Sequence, residues 1–212
     1  MAGRLWAARR HFLAAACQTI LNRVVQRENP MAREEEREGP VEIALTGDLT
    51  ENQSDLCEKL LDVEPGGDCV LYFDSVGGSP YSAIALASLI LLRSVQATGV
   101  VLGECSSAAL WPFAACRRRL VTPYSVLLFH PMKWQSEENV GLPEAAEWAR
   151  HFQQLEGDMD RWLAELFGVS LDVIEPWIRP GRYVSGVEMV ERGLAEMTGL
   201  KPLEEVCQPT RR

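Results

Sequence analysis

Ser107 and His130 are the two residues of this chain whose types and surroundings best suit joint chemistry. An apolar, strand-like stretch, Thr98-Gly99-Val100-Val101-Leu102, runs into Gly103-Glu104-Cys105-Ser106-Ser107, and a helical pattern begins at Ser107. A serine at such a junction presents its hydroxyl where free backbone N–H groups favour developing negative charge. The same position also suits an ordinary N-cap by Ser106 or Ser107, and on local sequence alone that plainer role is the stronger. His130 closes the apolar run Val126-Leu127-Leu128-Phe129. Of the three histidines, His11 lies in an arginine-rich tail and His151 in a long helical stretch, which leaves His130 as the one placed to serve as a base. Gly77-Gly78 ends another apolar run, and two glycines let a backbone approach a ligand with its N–H groups turned outward. A simple turn would use the same pair.

The elements that must hold these residues alternate. Strands are predicted at 41–45, 69–73, 98–102, 119–121 and 126–129. Helical spacing covers 52–61, the stretch after Pro80 through Leu92, Ser107 to Ala115, 171–177 and 186–193. One long helix is predicted over 143–167, with Pro143 near its start and Gly168 just past its end. Apolar strands alternating with helices predict an α/β fold whose strands are covered on both faces.

Composition sets the bounds. The 212 residues are 47% hydrophobic and 24% charged, enough for one globular core. A net charge of −9 gives no support to a nucleic-acid partner. The cysteines at 17, 57, 69, 105, 116 and 207 contain no CxxC pair, which reads as a reduced, cytoplasmic protein rather than a disulfide scaffold or a zinc site. Residues 1–38 stand apart. Up to Arg33 this segment has six arginines against the single acid Glu28, a charge of +5 that leaves −14 for the rest. Its apolar residues recur about every four positions, as in a basic amphipathic helix, which reads as an extension that is dispensable or packs on a partner. Glu34-Glu35-Glu36 reads as a solvated linker, and Gly39-Pro40 marks the boundary before the first strand. The domains expected are therefore an extension over 1–38, a globular domain over 39–206 and a short tail over 207–212.

Four motifs in order carry a resemblance to ClpP, the proteolytic subunit of the Clp proteases, within the crotonase-like superfold. Asp74-Ser75-Val76-Gly77-Gly78-Ser79 resembles the family's glycine pair, and Gly103-Glu104-Cys105-Ser106-Ser107-Ala108-Ala109 its nucleophile motif. Val126-Leu127-Leu128-Phe129-His130 resembles the strand that ends in its histidine. Arg182-Tyr183-Val184-Ser185, Glu188 and Arg192-Gly193-Leu194 resemble its C-terminal signature. The resemblance implies repeated strand–helix units with a long protruding handle helix, here 143–167. It also implies a serine peptidase with Ser107 as nucleophile, His130 as general base, the N–H groups of Gly78 and Ala108 as oxyanion hole, and no cofactor or metal. The partners implied are a peptide or unfolded-protein substrate, further copies of the chain in a ring, and an AAA+ ATPase or a ClpP paralogue.

Departures from the pattern define the alternative. The position matched to the family's acid is Trp177, which cannot orient an imidazole as a carboxylate does, and Asp172 or Glu175 are the nearby acids that could take over. The segment after His130, Met132-Lys133-Trp134-Gln135-Ser136-Glu137-Glu138-Asn139, lacks the family's substrate-pairing glycines, which predicts an altered cleft. The tail before Val41 does not resemble the family's axial-loop segment. A peptidase working as a dyad or with a relocated acid is therefore weighed against a catalytically silent ClpP-like subunit kept for assembly or peptide binding. A serine–lysine peptidase fits less well, since the lysines are only Lys59, Lys133 and Lys201.

Overall fold

The computed structural model describes residues 39–135 and 139–199. The expected extension over 1–38, the tail over 207–212 and part of the segment after His130 lie outside them. In chain order the elements are β1 (Val41–Asp48), α1 (Leu49–Leu61), β2 (Asp68–Gly77), α2 (Pro80–Leu92) and β3 (Gln96–Ser106). A 3₁₀ turn (Ser107–Ala109) leads into α3 (Leu110–Ala114), followed by β4 (Arg118–Val121) and β5 (Val126–Phe129). The chain continues as α4 (Leu142–Phe167), α5 (Leu171–Ile178), β6 (Arg182–Ser185), α6 (Gly186–Glu191) and β7 (Glu196–Met197).

Strands β1, β2, β3, β4 and β7 lie side by side in parallel. The eleven-residue β3 serves two neighbours in turn. Its first half pairs with β4 at Thr98↔Arg118 through Val101↔Val121, and its end pairs in parallel with β5 at Glu104↔Val126 through Ser106↔Leu128. The sequence stops this strand at Leu102, where it runs into Gly103 and a cluster of small residues. Pairing with β5, and a hydrogen bond from Glu104 N–H to the Asp74 carboxylate (3.1 Å), carry it on to Ser106. β6 then pairs antiparallel to β5, with Phe129 opposite Arg182.

The main core lies between one sheet face and the helices, around the fully buried rings of Phe73, Phe113 and Phe129. The other face departs from the two-sided burial expected from the apolar runs. Val70, Val100 and Leu120 form a small separate cluster there, with Tyr72 against it, while Glu42, Ala44 and Leu102 are exposed. β1 accordingly alternates, burying Ile43 and Leu45 and exposing Glu42 and Ala44, the pattern of a strand with one wet face.

α4 is the long helix that its spacing predicts, started by Pro143 in the first turn and stopped by Gly168 in the left-handed conformation (φ +74°). No residue of it before Met159 is buried, whereas Met159, Asp160, Leu163, Ala164 and Phe167 anchor its last turns in the core. No helix among the described residues is long and apolar enough to cross a membrane.

Two expected results follow from the packing. Burial pushes the Cys69 thiol up to about 11, and holds Cys105 and Cys116 further above the ordinary thiol range. Since the thiolate is the reactive form, all three should resist iodoacetamide at pH 8 in the folded protein and react once it is unfolded in urea. Mass mapping of the adducts checks this. At the start of α6, Ser185 Oγ accepts from Glu188 N–H while the Glu188 carboxylate accepts from Ser185 N–H, a reciprocal cap. Ser185→Ala should therefore cost about 1 kcal/mol in denaturant unfolding.

Candidate active site

Three parallel strands, β2, β3 and β5, bring Gly77-Gly78, Ser107 and His130 to one edge of the sheet at their carboxyl ends. Ligands of open α/β sheets are received outside such ends.

The glycine pair is fixed by what surrounds it. A Cβ at Gly77, whose φ is +99°, would stand 2.7 Å from both the Ser106 carbonyl oxygen and Ser107 Cβ, and 2.9 Å from Ala108 N. A Cβ at Gly78 would meet Thr50 Oγ1 at 2.6 Å and Asp48 Oδ1 at 2.7 Å. Those atoms cap α1 and tie down the loop. Asp48 Oδ1 accepts from Thr50 N–H (2.7 Å), and Thr50 Oγ1 accepts from Ser79 N–H (2.7 Å). The pair is thus a close backbone approach to the serine turn, which a loose surface turn would not require.

Hydroxyl commitments separate the two serines. Ser106 is 1% exposed and donates to Glu104 Oε1 at 2.6 Å, so its hydroxyl is occupied. Ser107 is half-buried and adopts φ +54°, a left-handed conformation costing a non-glycine residue roughly 1–2 kcal/mol. Among the described residues no hydrogen bond holds its side chain, and neither serine makes a side-chain cap to the turn it starts. The N-cap role open in the sequence is therefore not taken, and the Ser107 hydroxyl stands free at a strained corner.

His130 is half-buried, and its Nδ1 lies 2.6 Å from the carbonyl oxygen of Pro131. A carbonyl only accepts, so Nδ1 carries the proton and the neutral ring keeps its lone pair on Nε2. That is the tautomer a base needs. Nitrogen-15 shifts of the neutral imidazole should accordingly report the Nδ1–H form, and an Nε2–H majority would contradict the assignment.

Ser107, Ala108, Gly78 and His130 all line one cavity of about 190 Å³. Its apolar lining includes Leu110, Trp111, Met159 and Leu163, and its charged lining Lys133, Glu156 and Asp160. No hydrogen bond joins Ser107 to His130, a separation common in unliganded sites whose contacts close on substrate. Asp160 is 6% exposed, and burial holds its carboxyl above the ordinary range in spite of Arg179 Nη1 at 2.8 Å.

The position matched to the family's acid holds no carboxylate. Trp177, matched to the acid by motif order, is 3% exposed and packs its ring 5.2 Å from that of Phe129, with the Arg192 guanidinium over it. Antiparallel pairing of β5 with β6 also sets Gly181 against His130, where a Cβ would stand 3.4 Å from His130 Cβ. Asp172 and Glu175 are exposed and do not line the cavity. The carboxylates that do, Glu156 and Asp160, come from the last turns of α4 and were missed in the sequence. The signal for them is two acids one helical turn apart beside the apolar stripe of Met159 and Leu163.

In this α/β protein of strand–helix units, a strained serine and a histidine thus stand at the ends of adjacent parallel strands. The family model described as Clp protease matches residues 39–199, most of the chain. The chain belongs to the Clp protease family. No curated protein matches it.

Proposed function

We propose that this chain is a serine peptidase in which Ser107 attacks the peptide carbonyl and His130 is the general base. The observation that carries the reading is the free, strained Ser107 hydroxyl sharing a cavity with a histidine whose Nε2 is unprotonated. In the first step the Ser107 proton passes to Nε2 as Oγ bonds to the carbonyl carbon, and the carbonyl π electrons move onto oxygen. The N–H groups of Gly78 and Ala108 receive that oxyanion, and such donors commonly contribute a factor of about 10²–10³. The proton then leaves with the amine, and water hydrolyses the acyl-serine with His130 again as base. Family membership supports protein or peptide substrates, a globular domain over 39–206 that assembles as a ring of copies, and an AAA+ ATPase or paralogue as partner.

Trp177, buried at the position matched to the family's acid, favours a second reading as a silent subunit. Losing a directly bonded acid costs on the order of 10⁴-fold while leaving catalysis measurable. Hydrolysis of short fluorogenic peptides by the purified wild type and Ser107→Ala separates the two readings. Slow turnover lost in the variant supports the peptidase, and equal background in both supports the silent subunit.

A further inference from the structure

We propose that Glu156 is the relocated acid of this site, a positioning residue that acts on His130 through the Pro131–Met132 peptide group. The inference rests on the reading of Ser107 and His130 as nucleophile and base. His130 Nδ1–H donates to the Pro131 carbonyl oxygen at 2.6 Å, and Met132 N–H donates to Glu156 Oε1 at 2.9 Å. The Pro131 carbonyl and the Met132 N–H belong to one peptide unit, so the two bonds load its opposite ends. A carboxylate drawing on an amide N–H pushes electron density toward the amide oxygen and makes it a better acceptor. The imidazole therefore meets an acceptor backed by a full negative charge, although no carboxylate touches the ring.

The surroundings keep Glu156 in place. Arg179 Nη1 is 2.8 Å from Asp160 Oδ2 and its Nη2 is 3.6 Å from Glu156 Oε1, so one guanidinium braces both acids. Arg179 sits two residues before Gly181, the residue packed against His130, and Met132 sits two residues after His130. Glu156 and Asp160 of α4 thus hold the segment after the histidine at Met132 and the segment leading to Gly181 at Arg179. Trp177 at the matched position and Gly181 against His130 offer the ring no carboxylate, and the peptide relay takes up the work of orienting it. Among the described residues, the charged groups on the elements packed about His130 include Lys133 on its own segment, Glu156 and Asp160 on α4, and Arg179 and Arg182 on either side of Gly181.

The test uses the full chain with Glu156→Gln and Asp160→Asn. Glutamine keeps an oxygen for Met132 N–H, so a purely structural role is rescued and a charge relay is not. Expected for Glu156→Gln is an about tenfold slower reaction of Ser107 with a fluorophosphonate. The midpoint of the His130 titration, followed by NMR, should also move to lower pH by roughly half to one unit. Asp160→Asn, which leaves the Met132 bond intact, should move that midpoint less than half as far. An unmoved midpoint in Glu156→Gln, or an equal shift in Asp160→Asn, overturns the relay. A wild type that takes no probe at Ser107 defeats the peptidase reading, while the titration still decides the relay.

Discussion

Gly77→Ala should remove reactivity at Ser107 almost completely, by about 10²-fold or more, in a protein that still folds. The added methyl falls 2.7 Å from the Ser106 carbonyl oxygen and Ser107 Cβ, and 2.9 Å from Ala108 N, which are not the ends of flexible side chains. Relief requires the serine turn to move, and an ångström of misplacement at a reacting atom costs on the order of 10²-fold. The φ of +99° adds strain of about 1–3 kcal/mol, so the variant should also unfold at lower denaturant. Gly157→Ala is the matching control. It lies within α4, where a Cβ finds only the end of the Arg161 side chain at 3.6 Å. That change should stabilise the protein by about 0.5–1 kcal/mol and leave the fluorophosphonate rate unchanged.

Ser107→Gly should abolish acylation and raise stability together. A serine at φ +54° carries about 1–2 kcal/mol of conformational cost that glycine does not, and its hydroxyl offsets none of it with a hydrogen bond in the described residues. Glycine gives some of this back through the greater entropy of its unfolded chain, which leaves a net gain near 1 kcal/mol. A residue that destabilises the fold and holds its reactive atom free is the mark of a site kept for chemistry. Urea unfolding of wild type, Ser107→Gly and Ser107→Ala measures the effect. Alanine keeps the Cβ and the strain, so it should show little gain.

How much of this was legible in the sequence depended on the range of the contacts involved. The long helix could be read because its stripe, its leading Pro143 and its trailing Gly168 are local signals. The glycine pair and the serine corner could be placed at strand ends because the strands before them are apolar runs. β6 and β7 could not, since four and two residues carry no periodicity and their places are set by pairing with β5 and β4. The wet second face of the sheet was hidden for a similar reason. Val70, Val100 and Leu120 make their strands read as continuously apolar, although Glu42, Ala44 and Leu102 on that face are exposed. Choosing Ser107 over Ser106 on physical grounds needed the Ser106–Glu104 bond, which joins two residues of a strand whose extent the sequence did not show.

The acid was the least legible part. Motif order points to Trp177, which carries no carboxylate, and neither Asp172 nor Glu175 lines the cavity. Glu156, proposed to take its place, meets the ring only through the Pro131–Met132 peptide and stands 24 residues after Met132, a connection no spacing rule encodes. Glu156 and Asp160 were visible only as acids out of keeping with a buried stripe.

The most direct measurement of the central claim is fluorophosphonate labelling of the purified full chain, with the adduct located by peptide mass mapping. A single adduct on Ser107, absent in Ser107→Ala and slowed by about 10³-fold or more in His130→Ala, is the result the geometry predicts. Folded wild-type protein that takes no label at Ser107, or takes it equally with and without His130, would contradict it.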